Sequence, residues 1–342
     1  MTYISSILTD SKKHVKVWSR NEAGDRVVTR VEAPYYFYIP DDNGTDQDVF
    51  GQPLTRMDYH DFWDFTAARK AYSGKGIRVC ESDIRPEYKV LSERFYGADI
   101  GDLHITFFDI EVDYDIDKGF SSPQDPYAPI NSVAIYHCHT DETIVLVVPP
   151  DTRKNFKYKD LPDDITDGAT VIICDDERQL LKILFDELDD SDIISGWNSD
   201  FFDIPYIYER ANKVLHKNAG NKLCFNGAMD PFYRDVEMYG NVNKRLVLHG
   251  RVALDYLDVY KKFEMAEKPS YKLESVAEDE LPHLPKIEYK GSLYKLYRDD
   301  FEEFIRYNIR DTIILKGLEE KKKYIALAIQ MSHMATSQIQ DV

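Results

Sequence analysis

Residues 103–112, LHITFFDIEV, constrain the chain more than any other stretch. The run is apolar and aromatic enough for a buried strand, yet two acids stand near its end. Side chains at i and i+2 of a strand point to the same face. Asp109 and Glu111 therefore project together beside Phe108 and Ile110. Such acids have two readings, a solvated acidic surface or part of a divalent-metal site, and spacing elsewhere in the chain has to decide between them.

The surrounding pattern alternates strands and helices. NSVAIYHCH and ETIVLVVP read as strands, ERQLLKILFDELDD as an amphipathic helix and DIISGWN as a buried strand. FDIPYIYERANKVL reads as a helix starting near Asp203 and Pro205, since proline is tolerated in a first turn. Residues 245–263 read as strand-rich behind a YGNVNK hairpin turn, and residues 300–328 as one long helix. Before residue 97, HVKVWSR, DRVVTRVEA and YYFYI read as strands and residues 58–72 as a helix, which makes a small mixed domain. A linker is expected at residues 97–102. The fold class is α/β, with parallel and antiparallel pairing together.

Charge is uneven along the chain. The net charge is −18, which taken alone argues against nucleic-acid binding. Residues 107–210 hold 24 acidic against 8 basic side chains, however, whereas residues 211–342 hold 20 against 21. No aliphatic run approaches the roughly 20 residues of a membrane-spanning helix, and the start MTYISSILTDSKK has no basic-then-apolar signal pattern. Four cysteines without a CxxC pair suit a reducing cytoplasm and argue against a zinc ribbon or disulfide scaffold.

Two more acid sites extend the pattern. Asp203 falls at a strand-to-helix junction after WNSDFF, and Tyr307 and Asp311 are four apart on a helix, on one face. Three separated acid positions with a tyrosine match the needs of two-metal phosphodiester hydrolysis. Mg²⁺ and Mn²⁺ take oxygen ligands, so no His or Cys cluster is required. Each piece alone is weak in a chain with 61 acids; the weight comes from the ordered set.

FDIE at 108–111, WNSDFFD at 197–203 and YNIRD at 307–311 together resemble the three exonuclease motifs of family B DNA polymerases. Residues 195–210, 254–263 and 269–281 resemble the T-even-type phage group of that family. The resemblance covers essentially the whole chain, more loosely over residues 1–100. It implies a ribonuclease-H-like 3′→5′ exonuclease domain at 104–323, with a mixed sheet flanked by helices. A small α+β N-terminal domain at 1–103 precedes it, and the chain starts back into that domain at 324–342. Carried over by position, Asp109, Glu111, Asp203 and Asp311 hold two divalent ions, Mg²⁺ or Mn²⁺. Tyr307 orients the attacking water, and Lys286 stands near the scissile phosphate. Phe120 stacks on a 3′-terminal base and Asn198 contacts the DNA end, although asparagine is also a favoured helix cap. Residues 236–252 resemble the hairpin that separates primer from template.

The implied partners are single-stranded and primer–template DNA, with no membrane, in the cytoplasm of a host cell if the source is viral. Motifs of the SLYP and YGDTD types are absent from the sequence. The expectation is therefore a fragment or split-gene product that works with a second polypeptide carrying palm, fingers and thumb. The alternative is a DNA-binding and assembly module that completes a split polymerase. The apolar positions Tyr324, Ile325, Leu327, Ile329 and Met331 are expected to be exposed for that contact.

Overall fold

A computed structural model of the chain describes all residues except 154, 155, 158–160, 162, 167, 239 and 290. The chain divides into two compact units, residues 1–102 with 329–342, and residues 103–328.

The first unit contains two three-stranded antiparallel sheets. One is formed by β1 (Thr2–Leu8), β2 (His14–Arg20) and β3 (Arg26–Glu32) in that order. The other, from β4 (Tyr35–Pro40), β5 (Asp46–Gln47) and β6 (Pro53–Tyr59), has the order β4-β6-β5. Two helices follow, α1 (Phe62–Gly74) and α2 (Pro86–Phe95). The helix read over residues 58–72 thus starts later than expected. Met57 and Tyr59 pair with Phe37 and Tyr35 in the sheet, and the Asp61 carboxylate caps α1 by accepting from the N–H groups of Trp63 and Asp64. The last residues of the chain are bonded into this unit. The Tyr3 hydroxyl lies 2.7 Å from the carbonyl oxygens of both Ser332 and Ser337, and the Gln338 amide donates to the Ser6 carbonyl at 2.9 Å.

The second unit is built on a six-stranded mixed sheet. Its strands are β7 (Ile105–Val112), β8 (Ile130–His137), β9 (Glu142–Val147), β10 (Thr170–Ile173), β11 (Ile193–Ser195) and, after a hairpin, β14 (Val252–Ala253). The order is β10-β9-β8-β7-β11-β14. β8 is antiparallel to both neighbours, while β9–β10, β7–β11 and β11–β14 are parallel. The helices of this part are α3 (Asp163–Thr166), α4 (Glu177–Glu187) and α5 (Asp203–Val214). The hairpin pairs β12 (Phe232–Met238) with β13 (Asn241–Val247); Tyr239 at its tip lies outside the described residues.

Two cores cover the two faces of the sheet. Phe108, Ile110 and Val112 pack with Leu180, Leu181 and Leu184 of α4 and Ile204 and Ile207 of α5. Each such buried side chain contributes about 1.5–3 kcal/mol relative to exposure. On the other face, Ala134, Val145 and Val147 pack with Phe301, Phe304 and Ile305. Strand alternation sends Asp109 and Glu111 to that second face.

The strand-rich reading of residues 245–263 holds only in part. DYLDVYKKF is helical, forming α6 (Tyr256–Phe263) with Asp255 as its cap and Tyr256, Val259 and Tyr260 buried at helical spacing. Two short helices follow, α7 (Leu273–Glu280) and α8 (Leu293–Asp299). The long helix expected at 300–328 is two helices, α9 (Phe301–Lys322) and α10 (Tyr324–Ala335). Lys323, at φ 54°, takes the left-handed conformation that ends α9. The expected exposed apolar face also needs correction. Ile325 and Ile329 are buried, and of the named positions Leu327 and Met331 are exposed.

Candidate active site

The site gathers where β7 runs past its short neighbour. β11 stops at Ser195, opposite Phe107, which leaves the rest of that edge of β7 unpaired. Gly196 makes the close passage: a Cβ there would stand 2.8 Å from the Phe108 carbonyl oxygen. The chain then turns through Asn198, at φ 64°, and enters α5. This brings Asp203 back to β7, where its Oδ1 accepts from the Ile110 N–H at 3.2 Å. The carboxylate thus takes the place of a missing strand partner. On the other edge, the register between β7 and β8 shifts between Glu111 and Val112. Bulges of this kind re-aim side chains next to functional sites.

Helix α9 supplies the remaining groups. Tyr307, Asn308 and Asp311 share the face that packs on the sheet. Oxygen atoms of Asp109, Glu111 and Asp311 all lie within 4.8 Å of one another. Asp203 stands beside this trio, close enough to raise the pKa of both Asp109 and Glu111. Lys286 Nζ lies 2.6 Å from Asp311 Oδ2 and 4.7 Å from the centre of the Tyr307 ring.

The electrostatics are unbalanced. Burial, then the charges of Glu111, Asp311 and Asp203, push the Asp109 carboxyl well above its usual range, with Lys286 opposing. Glu111 is pushed up in the same way, by burial and then by Asp311. Burial raises Asp203 to about 7, against hydrogen bonds from backbone N–H groups. Burial also raises Asp311, although Lys286 and the Tyr307 hydroxyl hold it down. Burial and the same carboxylates raise the Tyr307 phenol, keeping its proton on. Lys286 keeps its charge, because Asp311, Asp109 and Glu111 together outweigh its burial.

A divalent ion fits this donor set. Four carboxylates face one lysine, and among the described residues Asp311 Oδ1 is buried with no hydrogen-bond partner. An unpartnered buried carboxylate oxygen is costly, and hard cations with all-oxygen coordination remove that cost. The structure brings together Asp109, Glu111, Asp203, Asp311, Tyr307 and Lys286. Phe120 lies on the loop after β7, 71% exposed, with its ring 5.4 Å from that of Phe202. Asn198 does not cap α5, whose N-cap is Phe202. Its own N–H donates to Asp255 Oδ1 at 3.0 Å.

Three supporting residues escape a reading of the sequence. The buried Asn308 donates to Asp109 Oδ2 at 3.0 Å and accepts from the Ser132 hydroxyl at 2.7 Å, which fixes the Asp109 carboxylate. Its one signal is its place beside Tyr307 on the helix. Asp255 accepts from the N–H groups of Asn198, Asp200 and Leu257, and so shapes the turn that leads to Asp203. Arg245 of β13 pairs with Asp200 at 2.9 Å and Asp258 at 2.5 Å, tying the hairpin to the same turn. Asp255 and Arg245 are distant in sequence from what they hold, so spacing does not reveal them.

A mixed sheet flanked by helices, with carboxylates from a strand and from two helices brought together, is consistent with an exonuclease domain. The exonuclease-domain profile of DNA polymerase family B matches residues 77–276, and the chain belongs to that family. It is 27% identical over 317 residues to the DNA-directed DNA polymerase of Escherichia phage RB69, covering 86% of this chain and 34% of that one. It is 32% identical over 178 residues to the DNA-directed DNA polymerase of Enterobacteria phage T4, covering 52% of this chain and 20% of that one. The DNA polymerase delta catalytic subunit of Caenorhabditis elegans is 29% identical over 177 residues, 49% of this chain and 16% of that one. The chain thus spans about a third of the phage RB69 polymerase, and less of the others.

Proposed function

We propose that the chain carries the 3′→5′ proofreading exonuclease of a replicative DNA polymerase and hydrolyses single-stranded DNA 3′ ends. The observation that carries this reading is the convergence of three carboxylates within 4.8 Å, one of them with a buried unpartnered oxygen. Asp109, Glu111, Asp203 and Asp311 hold two divalent ions, Mg²⁺ or Mn²⁺. When bound, the ions supply an activated water and neutralise charge on the leaving oxygen. Tyr307, with its proton retained, orients the attacking water by hydrogen bonding. Lys286 offers its ammonium to the phosphate, and Asn308 holds Asp109 in position. Phe120 stacks on the terminal base without regard to its identity, as an editor of any mismatch requires, and Asn198 contacts the strand end.

In this reading residues 104–323 form a ribonuclease-H-like exonuclease domain and residues 1–103 the family's N-terminal domain, with 324–342 beginning the return to it. The exonuclease acts on primer–template DNA together with polymerase palm, fingers and thumb, supplied on the same or on a second polypeptide. With a net charge of −18, the partner module would have to grip the duplex. The alternative, an assembly module without chemistry, gives no reason for four carboxylates to be kept around one lysine. Digestion of a 5′-labelled oligonucleotide with Mg²⁺ tests the reading. A descending ladder that a chelator stops is expected; intact substrate at all metal concentrations would overturn it.

A further inference from the structure

A second cluster of ligating side chains lies at the opposite end of β7. His104 precedes β7, His139 sits in the turn between β8 and β9, and Asp190 follows α4. One ligand atom from each, two imidazole nitrogens and a carboxylate oxygen, lies within 4.8 Å of the others. His104 Nδ1 is 2.7 Å from Asp190 Oδ2, and the His104 and His139 rings are stacked, 3.9 Å apart and 8° from parallel. At about 3.3 Å per residue, the five residues from His104 to Asp109 put this cluster about 16 Å from the carboxylate site.

The segments that carry these groups are clamped by backbone bonds. The His104 N–H donates to Asp192 Oδ2 at 2.9 Å, and its carbonyl accepts from the N–H groups of Asp192 and Ile193. The Cys138 N–H, next to His139, donates to the Ile105 carbonyl at 3.0 Å. His137 lies behind the cluster, its ring 5.6 Å from that of His139, with Nδ1 3.0 Å from Thr106 Oγ1 and Nε2 3.5 Å from Glu187.

We propose that His104, His139 and Asp190 bind one divalent transition-metal ion, with Zn²⁺ as the type case, separately from the carboxylate site. Two imidazoles and one carboxylate suit Zn²⁺, Cu²⁺, Ni²⁺ or Fe²⁺, whereas Mg²⁺ takes oxygen ligands. Three protein ligands leave a position for water. Bonds of about 2.0–2.2 Å fit between His104 and Asp190 with a slight opening, the cation replacing the proton between them, which passes to the buffer. The exposed His139 ring tilts out of the stack to bring its nitrogen to the same point. The ion joins three chain segments at the foot of the strand that carries Asp109 and Glu111, so its role is to brace that end of the sheet.

The inference does not rest on the nuclease reading, and its test can fail independently. Zn²⁺ is titrated into the full chain by calorimetry with Mg²⁺ in excess, and Co²⁺ is followed by its visible absorption. One equivalent is expected, with affinity lower by about tenfold or more in His104→Gln and His139→Ala. Binding is expected to survive in Asp109→Asn/Glu111→Gln. His139 is exposed on a turn, so His139→Ala keeps the test valid if His104→Gln fails to fold. Unchanged Zn²⁺ binding in His139→Ala with an intact circular dichroism spectrum would overturn the proposal, and so would loss of binding in the Asp109/Glu111 variant alone.

Discussion

Two buried clusters of carboxylate and lysine in the same unit show opposite solutions to one problem. Glu280, at the end of α7, accepts from Lys268 and Lys322 at 2.9 Å, from Lys321 at 2.8 Å and from the Tyr260 hydroxyl at 2.9 Å. Its burial alone would raise its pKa, but these donors hold it well below the usual range. The site near β7 places four carboxylates around one lysine, and burial raises every one of them. The first cluster is complete as folded. The second carries a charge deficit that a divalent cation corrects. Burial by itself therefore does not mark a functional carboxylate; the balance of charge around it does.

The largest effect is expected at the uncompensated carboxylates. Asp109→Asn with Glu111→Gln should lower nuclease activity by orders of magnitude while raising the metal-free melting temperature, because two repelling buried charges are gone. Activity assays and thermal melts on one preparation check both signs. Next comes Tyr307→Phe, which keeps the ring and loses the hydroxyl. Turnover should fall roughly 10- to 1000-fold, by analogy with loss of one positioned donor, with metal affinity kept in calorimetry.

Glu280→Gln should do the reverse of the double variant. Three lysines lose their counter-charge, all three keep partial access to water, and the expected loss in denaturant melts is about 1–3 kcal/mol, with nuclease activity unchanged. A smaller effect sharpens the contrast through pH. Asp203 has a folded-state pKa of about 7, above the usual carboxylate value of about 4. Its contribution to the metal-free protein is therefore fully present below about pH 4 and lost as the pH rises through about 7. Glu280 is shifted the other way, so its contribution is present above about pH 4.5 and lost as the pH falls through its depressed folded value. Thermal melts of wild type and Glu280→Gln across pH 2–8 separate the two slopes, and saturating Mg²⁺ should flatten the first alone.

Legibility in the sequence followed the range of the interactions involved. β7 is readable because its alternation is local, and α5 because proline marks its first turn. The convergence of Asp109, Glu111 and Asp311 comes from packing α9 on β7 and β8, which no spacing encodes; the motif resemblance supplied it. The segment of α6 reads as strand from sequence because Leu254, Tyr256, Leu257, Val259 and Tyr260 form a short apolar run that suits either a strand or a helix. The Asp255 cap decided it, by satisfying N–H groups on both sides. The break at Lys323 has no glycine or proline to announce it. Glu319 carries it, its carboxylate accepting from the N–H groups of Ile325 and Ala326.

The central claim is that the carboxylates beside β7 are left uncompensated in order to hold divalent cations. Mg²⁺ tests it most directly, since it takes oxygen ligands and leaves the histidine cluster aside. Melting temperature is measured against Mg²⁺ concentration for wild type and for Asp109→Asn/Glu111→Gln at pH 8. The account predicts a saturable rise in the wild type, starting from a lower metal-free value, and no saturable rise in the variant. Equal Mg²⁺-dependent shifts in the two proteins would contradict it.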